Sequence, residues 1–157
     1  MSEYNQENQE LVQKITELFP ESEPQLDRSG IPTLTVTQDK YIEVVQRLRE
    51  EPSLKFSILS HLCGLHWPER EKPFEVVVRL TSFENKAQVA VKVSAEGNPP
   101  TVPSLAPVWR AAQWHERETY DMFGIEFKGH PDLRRIFLVE EAEYHPMRKE
   151  YPTEGTD

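Results

Sequence analysis

A single cysteine, Cys63, stands in the whole chain of 157 residues. No disulfide framework can form within it, and a reducing compartment is the natural setting. The same scarcity excludes a conventional iron–sulfur cluster, which takes about four thiolates. Glycine is sparse as well: the six present never fall into GxGxxG or GxxxxGK, so the chain builds no phosphate-cradling loop of its own. No apolar run approaches the roughly 20 residues of a membrane span. Basic residues are outnumbered, 18 Lys and Arg against 27 Asp and Glu, for a net charge of −9. That balance argues against non-specific nucleic-acid binding, which needs a basic footprint, and against anionic membrane surfaces, while leaving room for a basic protein partner. The first ten residues are polar and acidic, unlike a signal or transit peptide. A cytoplasmic chain, attached to a membrane only through other proteins, is expected.

What is present is enough apolar material, 37%, for one core with solvated or extended ends. Leu11, Val12, Ile15, Leu18 and Phe19 recur with helical spacing from Asn5 to Phe19, and Pro20 ends that pattern. Residues 1–20 are therefore read as an N-terminal helix and 21–32, acidic with Pro24, Gly30 and Pro32, as a linker. Residues 33–138 form the core domain. It opens with a short strand at Leu34–Val36 and a helix over about Asp39–Glu51, with Thr37 as N-cap and Tyr41, Ile42, Val45 and Leu48 on one face. Phe56–Leu62 suits a buried strand, and Cys63-Gly64-Leu65-His66-Trp67-Pro68 reads as a turn and the start of a loop. Alternation in Phe74, Val76, Val78, Leu80 and again in Val89, Val91, Val93 predicts an antiparallel hairpin turning at Ser82–Ala87. Asn98-Pro99-Pro100 and Pro103 break the pattern before a short helix around Ser104–Trp109 and a firm one over Ala111–Phe123, with Gly124 as its left-handed cap. Beyond Pro131 a helical turn is expected to gather Leu133, Ile136 and Phe137. Residues 139–157, charged and proline-containing, read as an extended tail that lies on something else. The class is α+β: a small mixed or mainly antiparallel sheet packed with helices, followed by that tail.

The densest group of chemically capable residues is Trp114-His115-Glu116-Arg117-Glu118-Thr119-Tyr120-Asp121. A zinc-protease helix is excluded, because the second histidine would fall on Thr119. His115, Glu118 and His130 are weak candidates for a metal, as are His61, Cys63 and His66, which lack a fourth ligand. Glu116 and Glu118 stand two apart on a helix and point in different directions, a poor arrangement for paired acid–base work. A structural reading is stronger. Arg117 and Asp121 can pair at i and i+4, Glu116 and Glu118 can meet Arg134 or Arg135, and Trp109, Trp114, Tyr120 and Phe123 serve as core or interface anchors. Gly129 with His130-Pro131 makes a structural turn. A free-standing enzyme built on Glu116, Glu118 and His130, or a plain interaction module, are the other classes kept open.

One stretch is more specific. Glu116-Arg117-Glu118-Thr119-Tyr120-Asp121-Met122-Phe123-Gly124-Ile125, then Phe127 and Gly129-His130-Pro131-Asp132-Leu133-Arg134-Arg135-Ile136, resembles the signature of the NuoC/NdhJ family, the 30-kilodalton subunit of respiratory NADH:quinone oxidoreductase (complex I). Pro100–Leu105 with Trp109, and the tail His145-Pro146-Met147-Arg148-Lys149-Glu150-Tyr151-Pro152, keep order and spacing with it. Phe137 and Met147 depart from the smaller aliphatic residue and the leucine usual there. The resemblance implies an α+β domain in the peripheral arm, docked on the quinone-site large subunit related to hydrogenase large subunits and near iron–sulfur subunits. It implies that the flavin, iron–sulfur clusters, NADH and quinone of the complex are held elsewhere, with no cofactor, metal or catalytic group in this chain. It also places the complex peripherally on the cytoplasmic side of the membrane. The equivalent subunit of a membrane-bound hydrogenase, or of a quinone dehydrogenase with another donor, remains the alternative. In this picture the helix with Trp114, Glu116, Arg117, Glu118, Tyr120, Asp121, Phe123 and Gly124 stacks on the sheet and pairs with Arg134 and Arg135. Gly129, His130, Pro131 and the tail with Arg148, Lys149 and Tyr151 carry the docking surface, the tail gaining order only on docking. Deleting Glu143 to Asp157 is then expected to leave the domain folded.

Overall fold

The computed structural model describes residues 3–154, with side chains from Gln6 onward; the outermost parts of the expected N-terminal helix and tail, residues 1–2 and 155–157, lie outside the described residues. Helix α1, Glu3–Leu18, ends one residue before the phenylalanine expected to close it; Leu11, Ile15 and Phe19 are buried, and α1 packs on strands β1, Gln25–Leu26, and β2, Pro32–Val36. The stretch read as a linker thus carries structure of its own. Pro20–Ser22 form a 3-10 turn, β1 pairs antiparallel with β2, and Ile31 is buried. Helix α2, Gln38–Glu50, follows with Tyr41, Val44, Val45 and Leu48 buried. Thr37 holds the N-cap position with extended backbone, but its hydroxyl makes no capping bond to the helix amides. It bonds instead to the Asp39 carboxylate, which also takes the Asp39 and Lys40 amides and is held below its usual carboxylate range.

Three nine-residue strands, β3 (Ile58–His66), β4 (Phe74–Ser82) and β5 (Ala87–Ala95), complete a sheet in the order β1-β2-β5-β4-β3. The seven residues between β3 and β4, and the four between β4 and β5, are too few for a parallel crossover, so both neighbouring pairs are antiparallel. β2 runs parallel to β5, with Thr33 opposite Ala90 and Val36 opposite Val93. The sheet is therefore mixed and mainly antiparallel, as expected from the sequence. In β4 and β5 the alternating Val76, Val78, Leu80 and Val89, Val91, Val93 are all buried. The Asn85 amide closes the hairpin turn by donating to the carbonyl of Leu54 at 2.7 Å.

Contacts divide the chain into two compact units, the chain as far as His61 with Val77–Val93, and Leu62–Val76 with the chain from Ser94 onward. The second unit departs most from the sequence reading. Cys63-Gly64-Leu65-His66 is strand, not turn. Leu62, Gly64 and His66 share its buried face, and a Cβ on Gly64 would stand 2.8 Å from the Phe123 ring and 2.9 Å from the Thr119 methyl. Glycine here serves close approach rather than bending. Thr101–Pro103 (β6) pairs in parallel with Glu126–Lys128 (β7), a two-stranded sheet that the prolines concealed. Between them lies helix α3, Ala112–Phe123. The short helix expected at Ser104–Trp109 is only a turn, closed by the Val108 and Trp109 amides on the Leu105 carbonyl. No helical turn follows Pro131, and Phe137 is exposed rather than gathered with Leu133 and Ile136.

Candidate functional site

Helix α3 carries two ionisable side chains that water does not reach, Glu116 and Asp121. Asp121 takes Arg135, from the segment expected to pair with this helix, rather than the Arg117 expected from helical spacing, and Glu116 takes neither of the two arginines expected for it. Glu116 turns inward, where one carboxylate oxygen accepts the Leu105 amide at 2.6 Å and the other meets the Ser104 hydroxyl at 2.6 Å. That hydroxyl in turn accepts the Ala106 amide at 3.0 Å. Neither Arg134 nor Arg135 reaches it. Glu118 is exposed. Burial pushes the Glu116 carboxyl up to about 7; the bonds from Ser104 and Leu105 favour its ionised form without offsetting the loss of water.

Asp121 has the opposite environment. One oxygen accepts three successive backbone amides, Ile136 at 3.1 Å, Phe137 at 2.7 Å and Leu138 at 3.0 Å; the other accepts Arg135 Nη1 at 2.8 Å. Burial works to raise its pKa, but the guanidinium and the three amides outweigh that and hold the carboxyl below its usual range. The expected Arg117–Asp121 pair is replaced by a division of labour. Arg117 donates to the carbonyls of Arg134 at 3.1 Å and Arg135 at 2.9 Å and lies over the Trp114 ring. Arg135 takes Asp121 and also donates to the carbonyls of Ala142 and Tyr144.

The last carbonyls of α3 explain the tail. Gly124, at φ 72°, returns its amide to the Tyr120 carbonyl, as expected of a left-handed cap. The three carbonyls that follow are taken from farther along the chain. His145 Nδ1 donates to Asp121 at 2.9 Å, the Met147 amide to Met122 at 3.0 Å, and Arg148 Nε to Phe123 at 2.6 Å. A Cβ on Gly124 would meet the Arg148 guanidinium at 2.5 Å and the His145 ring at 2.6 Å, so this glycine is required twice over. The Lys149 amide donates to His66 Nδ1 at 3.0 Å, and the His66 ring stacks on Phe74 at 4.4 Å. The tail has no regular element, but it is bound to its own domain as the C-cap of α3, which corrects the picture of a tail ordered only by a partner. Two arginines also stand at the negative end of the helix dipole.

His130 is nearly enclosed on the turn begun by Gly129 at φ 87°. Its Nδ1 accepts the Asp132 amide at 3.0 Å, so the ring is the Nε2–H tautomer and donates to the Gln113 carbonyl at 3.0 Å. Pro131 and Asp132 are exposed, and Asp132 pairs with Arg134. Among the described residues no three His, Cys, Asp or Glu side chains stand together as a metal site. Hence neither His115, Glu118 and His130 nor His61, Cys63 and His66 converge on one. Sequence reasoning missed Ser104, His66, Thr119 and Gly64 as partners; only Gly64, a glycine within an alternating apolar run, carried a local signal.

The sequence model of the family described as "Respiratory-chain NADH dehydrogenase, 30 Kd subunit" matches residues 34–157, and every residue of this arrangement lies within the match. The chain belongs to that family. The C-type subunit of NADH-quinone oxidoreductase from Roseiflexus sp. (strain RS-1) is 46% identical over 117 residues, 74% of this chain and 67% of its own length. Its namesake from Herpetosiphon aurantiacus is 44% identical over 142 residues, 90% and 82%. One from Rhizobium meliloti is 46% identical over 127 residues, 80% and 69%. The fold recurs in a trypsin-resistant fragment of Nqo5, with a TM-score of 0.66 at 24% identity over 80% of this chain and 99% of that one. It recurs also in an archaeal respiratory membrane complex, the membrane-bound sulfane sulfur reductase, with a TM-score of 0.76 at 23% identity over 92% and 85%. Helix α1 lies outside the residues that define the 30 kDa subunit family. None of the helices among the described residues is long and apolar enough to cross a membrane.

Proposed function

We propose that the chain is an assembly subunit of the peripheral arm of proton-pumping NADH:quinone oxidoreductase, on the cytoplasmic side of the membrane. It docks on the hydrogenase-like quinone-site large subunit beside its iron–sulfur neighbours and supplies neither a cofactor site nor a catalytic group. The observation that carries this reading is what surrounds α3. Its two buried carboxylates are spent on holding other segments of the chain. Outside that framework, Trp114, Phe137, Val139, Met147, Tyr144 and Tyr151 present large apolar surface to solvent. Exposed aromatics on a segment fixed by buried hydrogen bonds are what a pre-organised protein interface needs, since little ordering is left to be done on binding. The names of these relatives, each a C-type subunit of an NADH-quinone oxidoreductase, select the complex.

The test is an affinity purification of the tagged full chain from its native membranes, with co-purifying subunits identified by mass spectrometry. The large subunit together with flavin- and NADH-binding subunits is the expected recovery. That large subunit with nickel-site proteins would instead assign the chain to a hydrogenase, and a preparation without partners would overturn the assembly role. Phe137→Ser in the same tagged chain is expected to reduce recovery of the large subunit several-fold without altering the thermal transition, because Phe137 contributes nothing to the core.

A further inference from the structure

We infer that Tyr144 and Tyr151, with the glutamates of their segment, form a receiving surface for an arginine-bearing stretch of a partner protein. The two rings stack at 5.3 Å with 27° between their planes, and both stay open to water, at 45% and 38% exposure. The chain between them is fixed from beneath. The Met147 amide bonds to the Met122 carbonyl, Arg148 Nε to the Phe123 carbonyl, and the Lys149 amide to His66 Nδ1. The rings are therefore in place before any partner arrives, and little order remains to be imposed on binding. The charge on this segment is mostly of one sign. From Ile136 to Glu154 the exposed charged residues are Glu140, Glu141, Glu143, Glu150 and Glu154 against Lys149 alone. The nearby arginines are turned to the chain itself: Arg135 to Asp121 and the carbonyls of Ala142 and Tyr144, Arg148 to the Phe123 carbonyl and the Phe74 ring. Arg148 also reaches Glu150, at 3.9 Å. Glu140, Glu141, Glu143 and Glu154 have no ion-pair partner among the described residues.

An exposed aromatic pair on a segment of unpaired carboxylates attracts a cation twice, through the faces of the rings and through net charge. Arginine suits both at once. Its flat guanidinium lies on a ring while its N–H groups still reach a carboxylate, which the compact ammonium of lysine does less well. The chain makes the same choice internally: over Phe19, Trp67, Trp114 and Phe74 the cation is an arginine each time. Among the described residues no cation of the chain lies over Tyr144 or Tyr151. Anionic lipid and nucleic-acid phosphates are repelled by such a surface, which leaves a basic protein segment as its occupant. That the partner is the large subunit rests on the assembly reading; the chemistry of the surface does not.

The test has two parts, both on the full chain. First, the chain with 13C-labelled tyrosine rings is titrated by NMR with a short peptide alternating arginine and leucine, and with its counterpart carrying glutamate for arginine. The Tyr144 and Tyr151 rings are expected to shift with the arginine peptide only, and the shift to shrink several-fold toward 1 M salt, where charges are screened beyond about 3 Å. No shift at these two rings, or an equal one with the glutamate peptide, would overturn the proposal. Second, the tagged chain is purified from its native membranes. Glu140→Gln, Glu141→Gln and Glu143→Gln together are expected to lower partner recovery several-fold without moving the thermal transition, since none of these side chains holds a bond among the described residues. Tyr144→Leu with Tyr151→Leu is expected to lower it likewise, whereas phenylalanine at both positions keeps the rings and the recovery. Recovery unchanged in the glutamine and leucine variants would overturn the surface as a docking site. Peptide binding with no partner recovered by the unaltered chain would count against the assembly role alone.

Discussion

Glu116 is an acid kept where its charged form is poorly supported, and that has a measurable cost. Its folded pKa is about 7 against 4.5 for the unfolded chain, so between those values the native state holds a proton that the unfolded state has released. Stability therefore falls as pH rises through this window, by up to roughly 3 kcal/mol at about 1.4 kcal/mol per unit, and the loss is complete above it. Glutamine has the shape of the protonated acid: its oxygen accepts the Leu105 amide and its amide group donates to Ser104. Glu116→Gln is accordingly expected to match the unaltered chain near pH 4.5 and to exceed it at pH 8, in urea unfolding at both values. An equal gap at the two values would show that the carboxyl is not carrying the effect. Sequence could nominate Glu116 but not its partner. Ser104 stands twelve residues away, with a turn and the start of α3 between them, so the pairing follows from where the end of β6 meets α3.

At the scale of elements, the legible parts were those that obey one period throughout. α1, α2, β4 and β5 each bury an apolar face, and their apolar spacing alone announces it, whereas α3 buries Glu116, Thr119 and Asp121 beside Ala112 and Phe123. What stayed hidden lacked that signal: the β6–β7 ladder is only three pairs long and flanked by prolines, and β3 runs on through a glycine. The 131–138 stretch is held by polar contacts. There, three amides converge on one Asp121 oxygen and fix a backbone with no helix of its own. Asparagine at 121 keeps the size but loses the charge facing Arg135 and sets an N–H₂ against N–H donors. Asp121→Asn is expected to destabilise the chain by about 3 kcal/mol or more, the range for breaking a buried pair on one side. Because its folded pKa is depressed, Asp121 contributes stability that is present above its unfolded value and lost as pH falls through the folded one. Acid unfolding followed by circular dichroism is thus expected to be less steep in the variant; equal steepness would locate the acid sensitivity elsewhere.

For the whole molecule, the tail decides whether this chain is a domain with a loose end or a domain closed by its own C-terminal segment. Composition suggested the first, since residues 139–157 have no period and little apolar content. The hydrogen bonds give the second: the carbonyls of Asp121, Met122 and Phe123 have their donors in His145, Met147 and Arg148. Removing residues 143–157 would leave those three carbonyls without donors at the end of a helix that keeps only its Gly124 cap. Three lost bonds at about 1 kcal/mol each, more where the donor is charged, predict a loss of roughly 3 kcal/mol and a lower thermal midpoint, not an unchanged domain. A pH signature accompanies it. Burial lowers the His145 pKa, and the neighbouring Arg148 and Arg135 lower it further against the Asp121 carbonyl, which raises it. Below about 6.5, the ordinary value for histidine, the unfolded ring takes up a proton that the folded ring refuses, so the tail's contribution is complete above that pH and is lost as pH falls through the folded value. The full chain should therefore lose more stability on acidification from pH 7 than the truncated one does. Scanning calorimetry of both at pH 7 and pH 5 would measure the difference, and equal midpoints at pH 7 would mean that the tail rests on α3 without holding it.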